Sequence, residues 1–584
     1  MLLAATTLLL ATSVCTSDDW TTPAEASDYQ RTPRYAETMA YFERLDAASP
    51  AVTLIEMGRS AQGRAMQAVI LASEGISTPE AARATGKPVI LIQAAIHPGE
   101  NEGKDALMAL ARDLALGGDA PLLEPVILVL VPIFNVDGHE RFSPYNRINQ
   151  NGPEAMGWRA TAQNLNLNRD YTKADSPEMQ AWLRLWQRWQ PDLLVDMHNT
   201  NGADYQYAMT WAYEFGPNIH PALVAWQRAV YDGAVKPKLA AQGWPVAYYV
   251  AMKEWGNLSA GLIEGTSTPR FSVGYAAAAG RPGLLLETHM VKDFRTRVAV
   301  NAALLRELLR AIGRDPGALK SAVAKADDER FAPGAKIPLA FGLSERSEPM
   351  DFLGYKEIRE SSEISGAEWV RYDQGQAVTL SLPVQREITI TASTAAPAAY
   401  LVPVQWTSVI ERLHWHGVKM QRLPDARTVS ASRHRFGEVA WAPRPFEGRH
   451  MLTQLESTLE TIEIEVPAGS WVIPMDQPRA RLITQLLEPA APDSFIRWGF
   501  FDAIFEEKEY AEARVLEGIA RQMLAADPAL KAEFDERLKD EAFAADPRAR
   551  LRFFYERSPY FDSAWKRYPV LRLDAEALGV LLAR

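Results

Sequence analysis

Residues 88–100 read PVILIQAAIHPGE, an almost wholly apolar run from Pro88 to Ile96 that leads straight into His97-Pro98-Gly99-Glu100. A short apolar run without polar alternation predicts a strand buried on both faces, the kind found in a parallel sheet covered by helices. The surroundings agree. Glu102 to Leu116 follows as a helix, with Ala106, Leu107, Leu110 and Leu114 at helical spacing. Val126 to Phe134 (VILVLVPIF) is a second strand, Asp192 to Met197 (DLLVDM) a third and Gly283 to Leu286 (GLLL) a fourth. Ser176-Pro177 opens a Trp-rich helix that runs through Gln190. Strands alternating with helices predict an α/β fold, a mixed, mostly parallel sheet flanked by helices, over residues 30–325.

The chain has 584 residues, too many for one hydrophobic core. Residues 333–485 change character. Ala377–Leu382, Glu387–Ala392 and Glu460–Val466 alternate with period two and predict a β-rich domain, a sandwich. Residues 490–584 read as a helical tail, with amphipathic helices at Glu506–Glu517 and Ala529–Ala544. At the other end, residues 1–15 read as a signal peptide. The apolar run Leu2 to Val14 is too short to span a bilayer, and Cys15 stands where a lipid anchor would be attached. An extracytoplasmic location is expected, periplasmic or secreted. No other stretch suggests a membrane span. The net charge of −11 gives no footprint for nucleic acid. With one cysteine in the chain, a metal site must be built from His, Asp or Glu.

Three strand ends carry such residues: His97 to Glu100, His198-Asn199-Thr200, and Glu287-Thr288-His289. Open α/β sheets bind ligands beyond the carboxyl ends of their strands, so these segments are expected to share one crevice. An H-x-x-E pair can put an imidazole and a carboxylate on one ion, and a histidine from another strand completes the set with one position left for water. This predicts His97, Glu100 and His198 as metal ligands. Glu287 is then the free carboxylate that takes a proton from water and passes it to the leaving amine. Alone, the H-x-x-E pair equally fits a packed histidine and a charge at a helix N-terminus. The other two segments tip the reading towards metal.

From Tyr35 to Thr296 the motifs resemble, in order, those of the zinc metallocarboxypeptidase family, the carboxypeptidase A/B type. Gly58-Arg59-Ser60-Ala61-Gln62-Gly63-Arg64 is similar to its early G-R-S-x-x-G-R stretch, and His97 to Glu100 to its first zinc motif. Asn135-Val136-Asp137-Gly138 resembles its N-P-D-G turn, with Val in place of Pro. Trp158-Arg159 and Asn168-Arg169 resemble its W-R and N-R pairs. The resemblance implies a zinc carboxypeptidase-like fold and one zinc ion as cofactor. It also implies a peptide substrate, a carbonyl-polarising Arg159, and Asn168 and Arg169 as receivers of the substrate carboxylate. Arg147 is a rival for the carbonyl role. The family's substrate-binding tyrosine is matched by Tyr275, at a shorter distance from Glu287 than usual, with Tyr248 and Tyr249 as alternatives.

The chemistry suits these roles. Arg can grip a carboxylate through two parallel N–H bonds, which Lys cannot. An oxyanion donor such as Arg159 contributes about 3 kcal/mol. His289 is expected to be structural or to support the site. His414-Trp415-His416 has strand spacing for a metal pair but no evident carboxylate, and a structural role is favoured. The Trp182, Trp186, Trp189 series reads as core. The leading function is a zinc-dependent peptide hydrolase that releases C-terminal residues. The alternatives are a deacylase of small N-acyl amino acids, resembling the aspartoacylase and succinylglutamate desuccinylase group, and a cell-wall peptide amidase or endopeptidase. The presence of all three ligands and Glu287 argues against a non-catalytic binder.

Overall fold

The structure, a computed structural model, describes residues 19–582. The expected signal peptide and Cys15 lie outside that range. The described chain gathers into two compact units. The first holds the chain up to Glu329 together with Phe341–Thr391; the second holds Arg330–Ala340 and the chain from Ala392 onward.

The first unit is built on an eight-stranded mixed sheet. Its strands are β1 (Val52–Arg59), β2 (Ala65–Leu71), β3 (Val89–Gln93), β4 (Ile127–Val131), β5 (Leu193–Thr200), β6 (Met209–Ala212), β7 (Val246–Tyr248) and β10 (Gly283–His289). A hairpin elsewhere in the unit supplies β8 (Ala251–Glu254) and β9 (Asn257–Ile263). The order across the large sheet is β1-β2-β4-β3-β5-β10-β6-β7. The central strands β4, β3, β5 and β10 are parallel; β1, β2 and β6 introduce antiparallel pairs. Every residue of β3, β4 and β5 is buried, as unbroken apolar runs require. Helices Glu102–Ala115 and Pro177–Trp189 form as expected, the second capped by the Ser176 hydroxyl on the Met179 N–H. Trp182, Trp186 and Trp189 are core residues. No helix among the described residues is long and apolar enough to cross a membrane.

The strand order places the chemistry. β3, β5 and β10 are consecutive neighbours, and their carboxyl ends lie side by side. β5 and β10 run further than expected, so His198 and Glu287 belong to the strands themselves and face each other in register.

The division of the β-rich region differs from the one expected. The long hairpin Ser347–Ser361/Glu368–Gln385 joins β9 and β8 in a four-stranded sheet of the first unit. Phe352, Leu382 and Val384 pack there against Tyr205, Tyr207 and Leu262. Period-two alternation identifies a strand but not its partner, and β9 lies far away in sequence. The main sheet of the second unit has six strands, in place of the expected sandwich. Leu571–Leu573, from the expected helical tail, is inserted between Ala399–Val402 and Arg427–Trp441. The tail helices lie at Ala513–Ala526, Pro528–Arg537, Glu541–Ala545, Pro547–Tyr555 and Ala575–Leu582; Asp540 caps Glu541–Ala545 and breaks the run expected from Ala529 to Ala544. Phe534, Phe543, Phe553 and Phe554 give this stretch its own small core.

Candidate metal centre and active site

The His97-Pro98-Gly99-Glu100 turn closes on a hydrogen bond from the Glu100 N–H to the His97 carbonyl, 2.8 Å. It points both side chains back over the sheet. His97 Nδ1 lies 3.1 Å from Glu100 Oε1. His198 Nδ1 lies 3.0 Å from Glu100 Oε2 and 3.2 Å from His97 Nδ1. Ligands about 2.0 Å from a shared tetrahedral ion would stand roughly 3.3 Å apart. The three side chains are buried and are the ones able to hold a metal together among the described residues.

The far side of each imidazole is tied down. His97 Nε2 is 2.9 Å from Asn166 Oδ1, and His198 Nε2 is 2.8 Å from Asp196 Oδ2. Those acceptors put the ring proton on Nε2 and leave the Nδ1 lone pairs turned towards each other. Two lone pairs in contact need a cation between them. Without a metal, a proton takes that part. Burial opposes charge on His198, but Asp196 and Glu100 outweigh it and hold the imidazole well above its ordinary value. Burial pulls His97 down to about 4. Burial works against the Glu100 charge too, yet His97 and Arg147 hold that carboxyl well below its ordinary value. The donor set fits zinc: two imidazoles and one carboxylate, each anchored from behind.

Sequence reasoning missed the supporting roles of Asn166 and Asp196. Asp196 was within reach, because residues two apart on a strand share a face. Asn166 also accepts from the Asn168 N–H at 3.0 Å and so links His97 to the turn that carries Arg169.

Glu287 stands beside His198 and lines a cavity of about 660 Å³ that also reaches His97, Glu100, Arg147, Arg159, Asn168 and Arg169. Burial pushes its carboxyl up to about 8; Glu100 and Asp196 add to the shift, while His198 and Arg159 oppose it. A divalent cation on the three ligands would pull it back towards the range in which it accepts protons.

Arg159 Nη1 is 3.6 Å from Glu100 Oε1; its side chain is 44% exposed and lines the cavity. Its rival Arg147 is more enclosed and donates from Nη2 to Glu100 Oε1 and Asn199 Oδ1, both at 2.8 Å. Arg147 is therefore engaged in bracing a ligand, and Arg159 is the one turned to the open space. Gly99 makes this possible, since a Cβ there would fall 2.6 Å from Arg147 Cγ. Arg169 lies over the Phe271 ring at 4.3 Å. Its neighbour Asp170 is turned to Lys173, at 2.6 Å, and to the Ser176 N–H and hydroxyl.

Tyr275 is a correction. It is fully buried, packed on Tyr171, Trp182 and Trp186 at 5.7, 5.9 and 6.0 Å between ring centres, and is absent from the cavity wall. Its helix Ser272–Ala278 is buried throughout and faces the core. Tyr248 and Tyr249 line the cavity instead. The Glu287 carboxylate and burial push the Tyr249 phenol up to about 12, which puts that hydroxyl within the field of the site. His289 turns to the Ala203 carbonyl at 2.9 Å, a structural role as expected. The strand spacing assigned to His414 and His416 does not hold: His414 lies in helix Thr407–Trp415, and His416 caps it.

The outer motifs act as braces. Asp137 accepts from the Ser60 hydroxyl at 2.8 Å, from the Gln62 N–H at 2.9 Å and from Arg64 Nη1 at 2.6 Å, so the Gly58–Arg64 stretch is bound to the Asn135–Gly138 turn. That turn takes the Trp158 N–H on the Gly138 carbonyl at 2.7 Å and so positions Arg159. A Cβ at Gly138 would lie 2.6 Å from the Ala160 carbonyl oxygen and 2.8 Å from that of Trp158. Gly138→Ala is expected to displace the Arg159 loop, costing about 1–3 kcal/mol in a denaturant melt and lowering activity with the metal still bound.

Residues 38–222 match the zinc carboxypeptidase family. The matched segment contains His97, Glu100, Arg159, Asn168, Arg169 and His198; Glu287 lies beyond it. The chain is similar to Carboxypeptidase 2 of Trichophyton tonsurans, 22% identical over 496 residues that cover 82% of this chain and 86% of that protein. It is similar to Carboxypeptidase 2 of Trichophyton rubrum, 22% identical over 494 residues, with 81% and 85% covered. Among solved structures, carboxypeptidase A from Helicoverpa armigera covers 51% of this chain and 75% of its own at 15% identity, with a TM-score of 0.36.

Proposed function

We propose a division of labour for this chain, which over residues 38–222 belongs to the zinc carboxypeptidase family and is a zinc-dependent peptide hydrolase that releases C-terminal residues. His97, Glu100 and His198 would hold one zinc ion. When bound, zinc polarises a carbonyl and makes a water acidic enough to attack at neutral pH. The rest is done by protein groups. Arg169 and Asn168 hold the terminal carboxylate of the peptide and so fix which bond reaches the centre. Glu287 takes the proton of the attacking water and returns it to the departing amine. Arg159 stabilises the negative oxygen as it develops. Tyr249, at the cavity wall, is the tyrosine placed to hydrogen-bond substrate.

The observation that carries this reading is the convergence of two Nδ1 atoms and one carboxylate at edges of 3.0 to 3.2 Å, with both Nε2 atoms engaged from behind. The test is a panel of free-acid peptides with and without chelator. Chelator-sensitive release of the last residue is expected; release that survives full zinc removal would defeat the reading. The support from Asp196 has its own test. Asp196→Asn is expected to weaken zinc binding about 10- to 100-fold in a chelator competition, because a second-layer carboxylate sets ligand basicity.

A further inference from the structure

A second cavity, also of about 660 Å³, adjoins the catalytic one, and Asn149, Asn201 and Met290 line both. That volume is in the range that encloses a small ligand. Much of its wall is apolar: Met252, Trp255, Val291, Val370 and Tyr372. Met252 and Trp255 come from the β8–β9 hairpin, Val370 and Tyr372 from the Ser347–Ser361/Glu368–Gln385 hairpin, and both hairpins lie outside residues 38–222. Trp255 sits in the turn between β8 and β9 and is 83% exposed. A lone exposed tryptophan on a convex surface would need no explanation. This one forms a cavity wall, and its turn is fixed. Gly256 takes a φ of +75°, which lets the turn close, and Arg359 Nη2 donates to the Gly256 carbonyl at 2.7 Å. Arg359 is itself paired with Glu368 at 2.9 Å and Glu357 at 3.0 Å, so its charge is neutralised within the long hairpin.

An aromatic side chain held in place at the edge of a concave, apolar wall is preorganised to bury a partner, and tryptophan is among the residues that gain most from doing so. With the terminal carboxylate at Arg169 and the scissile bond at the metal ligands, the rest of a peptide has to leave the catalytic cavity. We propose that the second cavity is a subsite for this upstream part of the substrate, and that Trp255 makes the protein favour longer peptides with an aromatic or large aliphatic residue ahead of the scissile bond. This rests on the exopeptidase reading above. The chain would pass along the shared wall, where the Asn149 and Asn201 amides offer a donor and an acceptor to its peptide groups. Its apolar side chain would then pack on Trp255, Met252 and Tyr372.

The test measures kcat/KM of the zinc-loaded full chain on free-acid peptides that share one C-terminal dipeptide. The shortest is the N-acylated dipeptide; the others are extended upstream one residue at a time, with Phe, Leu, Ser or Glu at each added position. The wild type is expected to gain at least about 10-fold between the dipeptide and the best Phe or Leu peptide, the scale of burying one apolar side chain, and much less with Ser or Glu. Trp255→Ala is expected to cut that gain to about 3-fold or less, and Trp255→Phe to restore most of it. The long-to-short ratio is the readout, because a general loss through folding or zinc content scales both substrates alike. No gain with length in the wild type, a gain equal for Phe and Glu, or an undiminished gain in Trp255→Ala would overturn the assignment and leave the exopeptidase reading standing. Release from no free-acid peptide of any length would instead overturn that reading, and this one with it.

Discussion

Glu287→Gln is expected to lower kcat by about 10³-fold while the protein still binds one zinc per chain. The size follows from the role. A positioned general base is worth about 10²- to 10⁴-fold, and here the same carboxylate serves both proton transfers. Gln keeps the shape and can still hydrogen-bond, so the strand register with His198 and the wall of the cavity should survive. Glu287 is also outside the ligand group, whose three members close on one another without it. Activity and zinc content should therefore separate in this variant. Loss of both together would make Glu287 a structural or ligating residue; undiminished turnover would remove it from the mechanism.

Amidating the C-terminus of a good peptide substrate is expected to cost about 30- to several-thousand-fold in kcat/KM. The amide lacks the charge that Arg169 would grip in two parallel bonds, and losing one side of such a charge-assisted pair costs roughly 2–5 kcal/mol. Arg169→Lys should show a related but smaller loss on the free acid, because Lys offers a point charge without the planar fork. The stacking of Arg169 on Phe271 at 4.3 Å holds the guanidinium plane in place, and Lys would forfeit that too. The amide penalty should then shrink in the variant, since the group that senses the charge has been weakened. Equal rates on free-acid and amidated peptides would point away from a terminal-carboxylate clamp and towards an endopeptidase or amidase.

The convergence of His97, Glu100, His198 and Glu287 on one crevice was legible in the sequence because strand ends are easy features to read. An unbroken apolar run stops, and the polar residue that follows must lie at the edge of the sheet. That rule singled out His97 with Glu100, His198 and Glu287 at three strand ends, and the resemblance of the surrounding motifs supplied their roles. The supporting layer was less legible. Asn166 comes from a loop, and nothing in local spacing says that it reaches back to His97. Arg147 was visible only as a competitor of Arg159; its hold on Glu100 depends on the space left by Gly99. Tyr275 misled because distance along the chain stood in for position. Its aromatic neighbours Tyr171, Trp182 and Trp186 come from segments about a hundred residues earlier, and they draw it into the core. Similar reasons explain the Ser347–Gln385 hairpin. Its alternation was plain, but pairing with β9 is a long-range choice made by Phe352, Leu382 and Val384 seeking an apolar face.

Every role assigned to the cavity presupposes a metal between His97, Glu100 and His198. The measurement is zinc content by elemental analysis of the purified full chain after zinc loading and desalting, with His198→Ala beside the wild type. One zinc per chain in the wild type, and none above background in the folded variant, is the expected result. Stoichiometric zinc in His198→Ala, or a wild type that retains none, would contradict it.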